Sequence, residues 1–209
     1  MLCYKIKTSS FPQQYKAVCK QANYLLVFLI PILLTVIINL LIQYRLYTVG
    51  KSILETIALI VLAGFLLICL VRFTLDKNIF SMWAGCLLLA LFIREIHPPG
   101  SSAGIYLVVF ALFYVAQSNY HKCSNYFQDK RLINLIAMGF FTYFISITID
   151  QRFWKFIPGE ELAHVPLEES LEMVGHLFIG FGLAFASNKI QYSNRLKTRT
   201  LAKKLDERH

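Results

Sequence analysis

The chain has 209 residues, of which 56% are hydrophobic and only 16% are charged, and its formal net charge is +9. A soluble domain is usually about 45–50% apolar and about 25% charged. The apolar excess is concentrated in blocks with almost no charge, and crossing a bilayer takes about 20 mostly apolar residues. This composition excludes a disordered chain, a nucleic-acid-binding domain and an ordinary soluble enzyme, and it indicates a polytopic membrane protein.

Six such blocks predict an all-α fold, a bundle of six transmembrane helices that forms a single integral membrane domain over residues 1–209. Pro31 is expected to kink the first span. Pro166 is expected at the first helical position of the sixth span, where a missing N–H is harmless. The expected spans are residues 24–43, 53–73, 79–97, 103–117, 132–150 and 167–187.

Lysine and arginine predict the orientation of the bundle, because cytoplasmic segments carry an excess of both. With the N-terminus inside, most of the 21 Lys and Arg residues fall in inner segments, including the basic tails 1–23 and 188–209. We therefore expect both termini in the cytoplasm, with the chain in a bacterial-type inner membrane or a plasma membrane. The expected partners are the lipid bilayer and a lipid or lipid-linked substrate, without nucleic acid, and the sequence leaves the oligomeric state open.

The acidic residues show the opposite asymmetry. The positive-inside rule does not explain it, since carboxylates contribute little to topology. Three of the histidines, His97, His164 and His176, also lie toward the outer side. The acidic residues expected there are Glu55, Glu95, Asp150, Glu160, Glu161, Glu168, Glu169 and Glu172.

The sixth span carries the most informative part of this pattern. Glu169, Glu172 and His176 stand at positions i, i+3 and i+7, so they share one helix face. Ionisable residues inside a span are costly unless they are paired, bound to a metal or solvated, and they are by default candidates for function. We predict that these three residues are catalytic, against the alternative of a purely structural hydrogen-bonded pair.

The ends of two other spans supply further candidate ligands. Glu95 and His97 close the third span and Asp150 closes the fifth, both at the outer side. Imidazole and carboxylate are ligands for Zn²⁺, Mn²⁺ or Fe²⁺, of which we expect Zn²⁺, and an open coordination position could activate water. At most four of the candidates are expected to meet. The predicted metal ligands are Glu95, His97, Asp150, Glu172 and His176, and Glu169 completes the constellation.

Alternatives to a metal site remain open in the sequence. Arg94 or Arg152 could neutralise the carboxylates as ion pairs. Three functions follow from the pattern: an intramembrane, metal-dependent hydrolase or acyl transferase that acts on a lipid at the outer face, a cation- or proton-coupled transporter, and a non-catalytic membrane scaffold. The scarcity of ionisable groups toward the inner side favours a one-sided pocket over a transport path.

Overall fold

A computed structural model describes residues 18–47, 50–96, 101–155 and 160–186. Within these ranges the chain is all-helical, with seven helices and no strand. The helices are α1 (Tyr24–Gln43), α2 (Lys51–Asp76), α3 (Ile79–Glu95), α4 (Ser101–Ser118), α5 (Tyr120–Phe127), α6 (Lys130–Asp150) and α7 (Glu160–Ala184).

Three of these helices, α1, α2 and α6, are long and apolar enough to cross a membrane, judged by length and composition. The outward face of α1 is apolar for most of its length, with residues such as Leu25, Phe28 and Ile37 exposed. A helix that presents such a face to its surroundings is suited to contact with lipid acyl chains. Membrane association follows from these helices.

Side-chain caps fix where three helices begin. The Oδ1 of Asn78 accepts a hydrogen bond from the Phe80 N–H at 2.9 Å, and the Oδ1 of Asp129 accepts one from the Arg131 N–H at 3.1 Å. Asn23 caps α1 in the same way. Helices α1, α3 and α6 all begin at the same end of the bundle. Their C-termini therefore lie at the opposite end of the bundle, beside the N-termini of α2 and α7. We call this opposite end the acidic end.

Helix α7 lies at the centre of the bundle and packs against α6, α2, α1 and α3. Its closest approach is to α6, where glycines from the two helices meet. A Cβ atom placed on Gly139 would lie 3.0 Å from the carbonyl oxygen of Gly175, which is tighter than ordinary van der Waals contact. Small residues at such crossings let two backbones approach closely, so side chains of α6 can reach the inward face of α7.

Arg72, on α2, holds the C-terminal end of α7. Its guanidinium donates hydrogen bonds to the backbone carbonyls of Ala184 at 2.6 Å and Ala186 at 2.8 Å, and also to that of Leu183. The last carbonyls of a helix have no partner within the helix and carry partial negative charge. Arg72 therefore satisfies and neutralises the end of α7 opposite the acidic end.

Two elements differ from the sequence-based expectation. Helix α7 begins at Glu160 and contains Pro166 in its interior, so the expected start at Pro166 is wrong. The helix includes these additional N-terminal residues because Ala163, one turn before the proline, is buried. The short helix α5, between α4 and α6, was not predicted, and it forms because Cys123 and Tyr126 are buried on one face of it.

Candidate functional site

The inward face of α7 carries three ionisable side chains at the acidic end. Glu169 and Glu172 are buried, and His176 is 0% exposed. Their i, i+3, i+7 spacing places them on one stripe, and this stripe faces the C-terminal parts of α3 and α6. Burying such groups is unfavourable unless partners compensate for the lost hydration. The hydrogen-bond and ion-pair partners of these three side chains therefore determine the chemistry of the site.

His176 uses both of its ring nitrogens. Nε2 lies 3.1 Å from Oε2 of Glu95, and Nδ1 is hydrogen-bonded to the hydroxyl of Tyr143. The tautomer that suits both contacts donates its Nε2–H to the Glu95 carboxylate and accepts from the Tyr143 hydroxyl at Nδ1. The result is a carboxylate–imidazole–phenol chain that runs from α3 through α7 to α6.

Glu172 is neutralised by an arginine from α3. The guanidinium of Arg94 donates to Oε1 of Glu172, and the Ser146 hydroxyl lies 3.5 Å from the same oxygen. The Cζ atom of Arg94 also lies 5.3 Å from the ring centroid of Tyr143, within the range of a cation–π contact. Arg94 thus joins the buried carboxylate to the phenol of the chain just described.

Glu169 forms an ion pair with a lysine at the surface of the cluster. Nζ of Lys51, the first residue of α2, lies 2.6 Å from Oε1 of Glu169 and 3.6 Å from Glu55. The Lys51 side chain is 54% exposed, whereas Glu169 is buried. The Lys51 side of the cluster therefore lies at the surface of the bundle.

Three carboxylates come close enough to share an ion. Glu95, Glu169 and Glu172 each offer an oxygen, and these oxygens lie within 4.8 Å of one another. All three side chains are buried. Carboxylates together with a nearby imidazole are donor types that bind Zn²⁺, Mn²⁺ and Fe²⁺. Lys51 and Arg94 already pair with two of these carboxylates, so cations of the protein and a metal ion would share the same oxygens.

The structure brings together four of the residues singled out in the sequence, namely Glu95, Glu169, Glu172 and His176. Asp150 does not join them: it is exposed at the end of α6 and accepts a hydrogen bond from Gln151 at 3.0 Å. It is the last residue of α6, one turn beyond Ser146, whose hydroxyl lies 3.5 Å from Glu172. His97 lies outside the described residues.

Sequence reasoning did not single out Tyr143 or Lys51. A tyrosine in a span is equally typical of an interfacial belt, and a lysine at the start of a helix is normally solvated. One signal was available for Tyr143, because it lies on the same face of α6 as Gly139, one turn away. Of the two arginines considered as neutralising partners, Arg94 is the one that pairs with Glu172.

An apolar cavity of about 280 Å³ adjoins the cluster, between α3, α4 and α6. Its walls are formed almost entirely by aliphatic and aromatic side chains. The exceptions are Arg94 and Tyr143, which link the cavity to Glu172 and His176. Pockets of this kind, apolar with a few convergent polar groups, are typical of small-molecule sites.

In comparisons with known proteins, no family model, no curated protein and no solved structure matches this chain.

The Arg94–Glu172 pair gives a testable prediction. We expect Arg94→Gln to lower the free energy of unfolding by about 3–5 kcal/mol, because it leaves a buried carboxylate without its cation. The double variant with Glu172→Gln should recover part of that loss, since both charges are then removed. The measurement is denaturant-induced unfolding in mixed micelles.

Lys51→Gln is the matched control for this experiment. Lys51 also pairs with a buried carboxylate, but its own side chain is more than half exposed. We expect a loss of about 1 kcal/mol or less, as for an ion pair that water screens. Strictly additive effects of the Arg94 and Glu172 substitutions would contradict a direct coupling between the two side chains.

Proposed function

We propose that the protein is an intramembrane hydrolase or acyl transferase that acts on a lipid or lipid-linked substrate at the acidic end of the bundle. One observation carries the proposal: the Glu95–His176–Tyr143 chain is buried, and its phenol lines an apolar cavity. Acid–base groups act where the substrate can reach them. Here the group within reach of a substrate is Tyr143, because it lines the apolar cavity.

The proposed reaction is attack of water, or of an acceptor hydroxyl, on the carbonyl carbon of an ester or amide. The nucleophile gives its proton to the Tyr143 oxygen while the Tyr143 proton moves to Nδ1 of His176. Glu95, at Nε2, stabilises the imidazolium that forms. When the tetrahedral intermediate collapses, the proton returns through Tyr143 to the leaving oxygen or nitrogen, so that no proton is gained or lost by the protein.

A divalent metal is the second element of the proposal, with Zn²⁺ first and Mn²⁺ or Fe²⁺ as alternatives. The donor set fits such an ion, because Glu95, Glu169 and Glu172 offer three oxygens within 4.8 Å of one another. A bound metal would polarise a carbonyl or lower the pKa of a coordinated water. The three carboxylates would then hold the ion beside Lys51 and Arg94, which already pair with Glu169 and Glu172.

A transport path is less well supported than a one-sided site. A proton or cation path needs ionisable groups along the whole depth of the bundle. Among the described residues, the buried carboxylates and the buried histidine lie at the acidic end, with one exception. That exception is Asp129, which caps α6 at the other end and is accounted for by that hydrogen bond.

We further propose six spans, with both termini on the cytoplasmic side of an inner or plasma membrane. In addition to the three long apolar helices, α3, α4 and α7 have 17, 18 and 25 residues. At about 1.5 Å per residue these lengths come close to or exceed the hydrocarbon core of about 30 Å. The placement of Arg72 and Lys77 at the end opposite the acidic end agrees with the positive-inside rule.

The topology can be measured with reporter fusions. We expect a fluorescent reporter that folds only in the cytoplasm to be active when fused after His209. A phosphatase that is active only outside the cytoplasm should be active when inserted between Trp154 and Lys155. An inactive fluorescent reporter after His209, or an inactive phosphatase between Trp154 and Lys155, would contradict the proposed orientation.

The catalytic proposal can be tested without knowing the substrate. The protein is reconstituted into liposomes made from a total polar lipid extract, and the lipids are profiled by mass spectrometry over time. We expect a lipid that is consumed by the wild type, and a rate lower by about 10²–10⁴-fold in His176→Ala and Tyr143→Phe, the usual effect of removing an acid–base group.

Tyr126→Phe provides the matched control. Tyr126 is a second buried tyrosine, and its hydroxyl accepts a hydrogen bond from Asn78 at 2.7 Å, away from the cluster. Its removal should leave the lipid profile as in the wild type. Identical profiles for the wild type and the His176→Ala variant would overturn the catalytic proposal and favour the scaffold.

The metal is tested separately, by elemental analysis of the purified protein. We expect about one divalent ion per chain in the wild type and a large loss in Glu172→Gln, which removes one of the three carboxylates. Glu55→Gln should keep the ion, because Glu55 lies outside the group of three. Equal, near-zero contents in the wild type and both variants would remove the metal from the proposal and leave the acid–base chain alone.

A further inference from the structure

A second cavity lies between α4 and α6, nearer to the end of the bundle opposite the acidic end. Its volume is about 340 Å³, and its walls include Trp83, Ala137 and Tyr120. It is almost wholly apolar, as is the cavity beside Arg94 and Tyr143. We call the cavity beside Arg94 the outer cavity and this one the inner cavity.

Two phenylalanines form the boundary between these cavities. Phe113 of α4 and Phe140 of α6 line both of them, and their ring centroids are 5.4 Å apart in an edge-to-face arrangement. The outer and inner cavities are therefore consecutive sections of one groove, separated by two side chains.

The dimensions of the groove match those of a lipid chain. Along α4 its lining runs from Ile105 to Gln117, which corresponds to about 18 Å at 1.5 Å per residue. The hydrocarbon core of a bilayer is about 30 Å thick, so the chain of a lipid in one leaflet extends over about half of that. One acyl chain that starts at the outer cavity would therefore end in the inner cavity.

The groove also has an entrance from the side. Phe110 and Phe144 line the outer cavity from α4 and α6, and they are 74% and 61% exposed. Their neighbour Leu107 is likewise exposed on the outward face of α4. In a bilayer these side chains face acyl chains, so the outer cavity opens toward lipid between α4 and α6.

We propose that the outer and inner cavities together form a binding site for a single acyl chain. The chain enters between Phe110 and Phe144 and its methyl end passes Phe113 and Phe140. The polar end of the chain remains beside Arg94 and Tyr143, and this placement rests on the proposed function. The Phe113–Phe140 pair makes the site sensitive to chain length, because a short chain fills the outer cavity alone and a long one must displace the rings.

The test is photolabelling of the full chain in liposomes with a tagged fatty acid that carries a diazirine near its methyl end. With a long-chain probe we expect saturable labelling of α4 and α6 residues around the inner cavity. In Ala137→Trp, which fills that cavity, labelling there should fall at least about tenfold.

Two controls separate this loss from damage to the fold. Leu107→Trp places the same indole side chain on the exposed face of α4 and should label as the wild type does. A shorter probe, which reaches only the outer cavity, should still label Ala137→Trp but should lose labelling in Val109→Trp, which narrows the outer cavity. Helix content by circular dichroism verifies that each variant is folded.

Labelling spread over the exposed faces of α1 and α2, without saturation, would overturn the proposal. So would equal labelling of the inner cavity in the wild type and Ala137→Trp. Because binding is measured without turnover, the His176→Ala variant should label as the wild type does. Labelling without any lipid turnover would remove the catalytic proposal alone, and turnover without labelling would remove the acyl-chain site alone.

Discussion

The arrangement of the bundle depends on one constraint, the cost of burying charged groups among apolar helices. Three carboxylates and a histidine are buried at one end, and each is matched by a named partner. Arg94 forms an ion pair with Glu172, and Lys51 forms one with Glu169. The imidazole of His176 contacts Glu95. Removing Arg94 would leave a buried carboxylate that the surroundings cannot solvate, so α3 and α7 must meet at this end in one register.

Close helix contact is what allows the phenol of α6 to complete this network. Gly139 and Gly175 bring α6 and α7 together, and Tyr143, one turn beyond Gly139, then reaches His176. The same ring borders the apolar cavity on its other side. Packing and chemistry are therefore coupled: small residues set the distance between the helices, and that distance sets which polar groups touch.

The sequence predicted the shared face on α7, because helical periodicity alone places Glu169, Glu172 and His176 on one side of a helix. It also identified Glu95 as a residue that could join them, from its position at the end of a span. It did not identify Tyr143 or the start of α7 at Glu160. Both depend on packing against other helices, and periodicity within one helix shows which residues share a face but not which helix that face meets.

The contact of Arg72 with the terminal carbonyls of α7 has a mechanical consequence. Together with the Lys51–Glu169 ion pair, it links α7 to α2 near both ends of α2, so that sliding one helix along the other breaks a hydrogen bond or an ion pair. The stripe of Glu169, Glu172 and His176 thus lies on a helix that is linked to α2 in two places. Phe110 and Leu107 are exposed on the flank of α4, so α4 borders the opening through which we propose that an acyl chain enters.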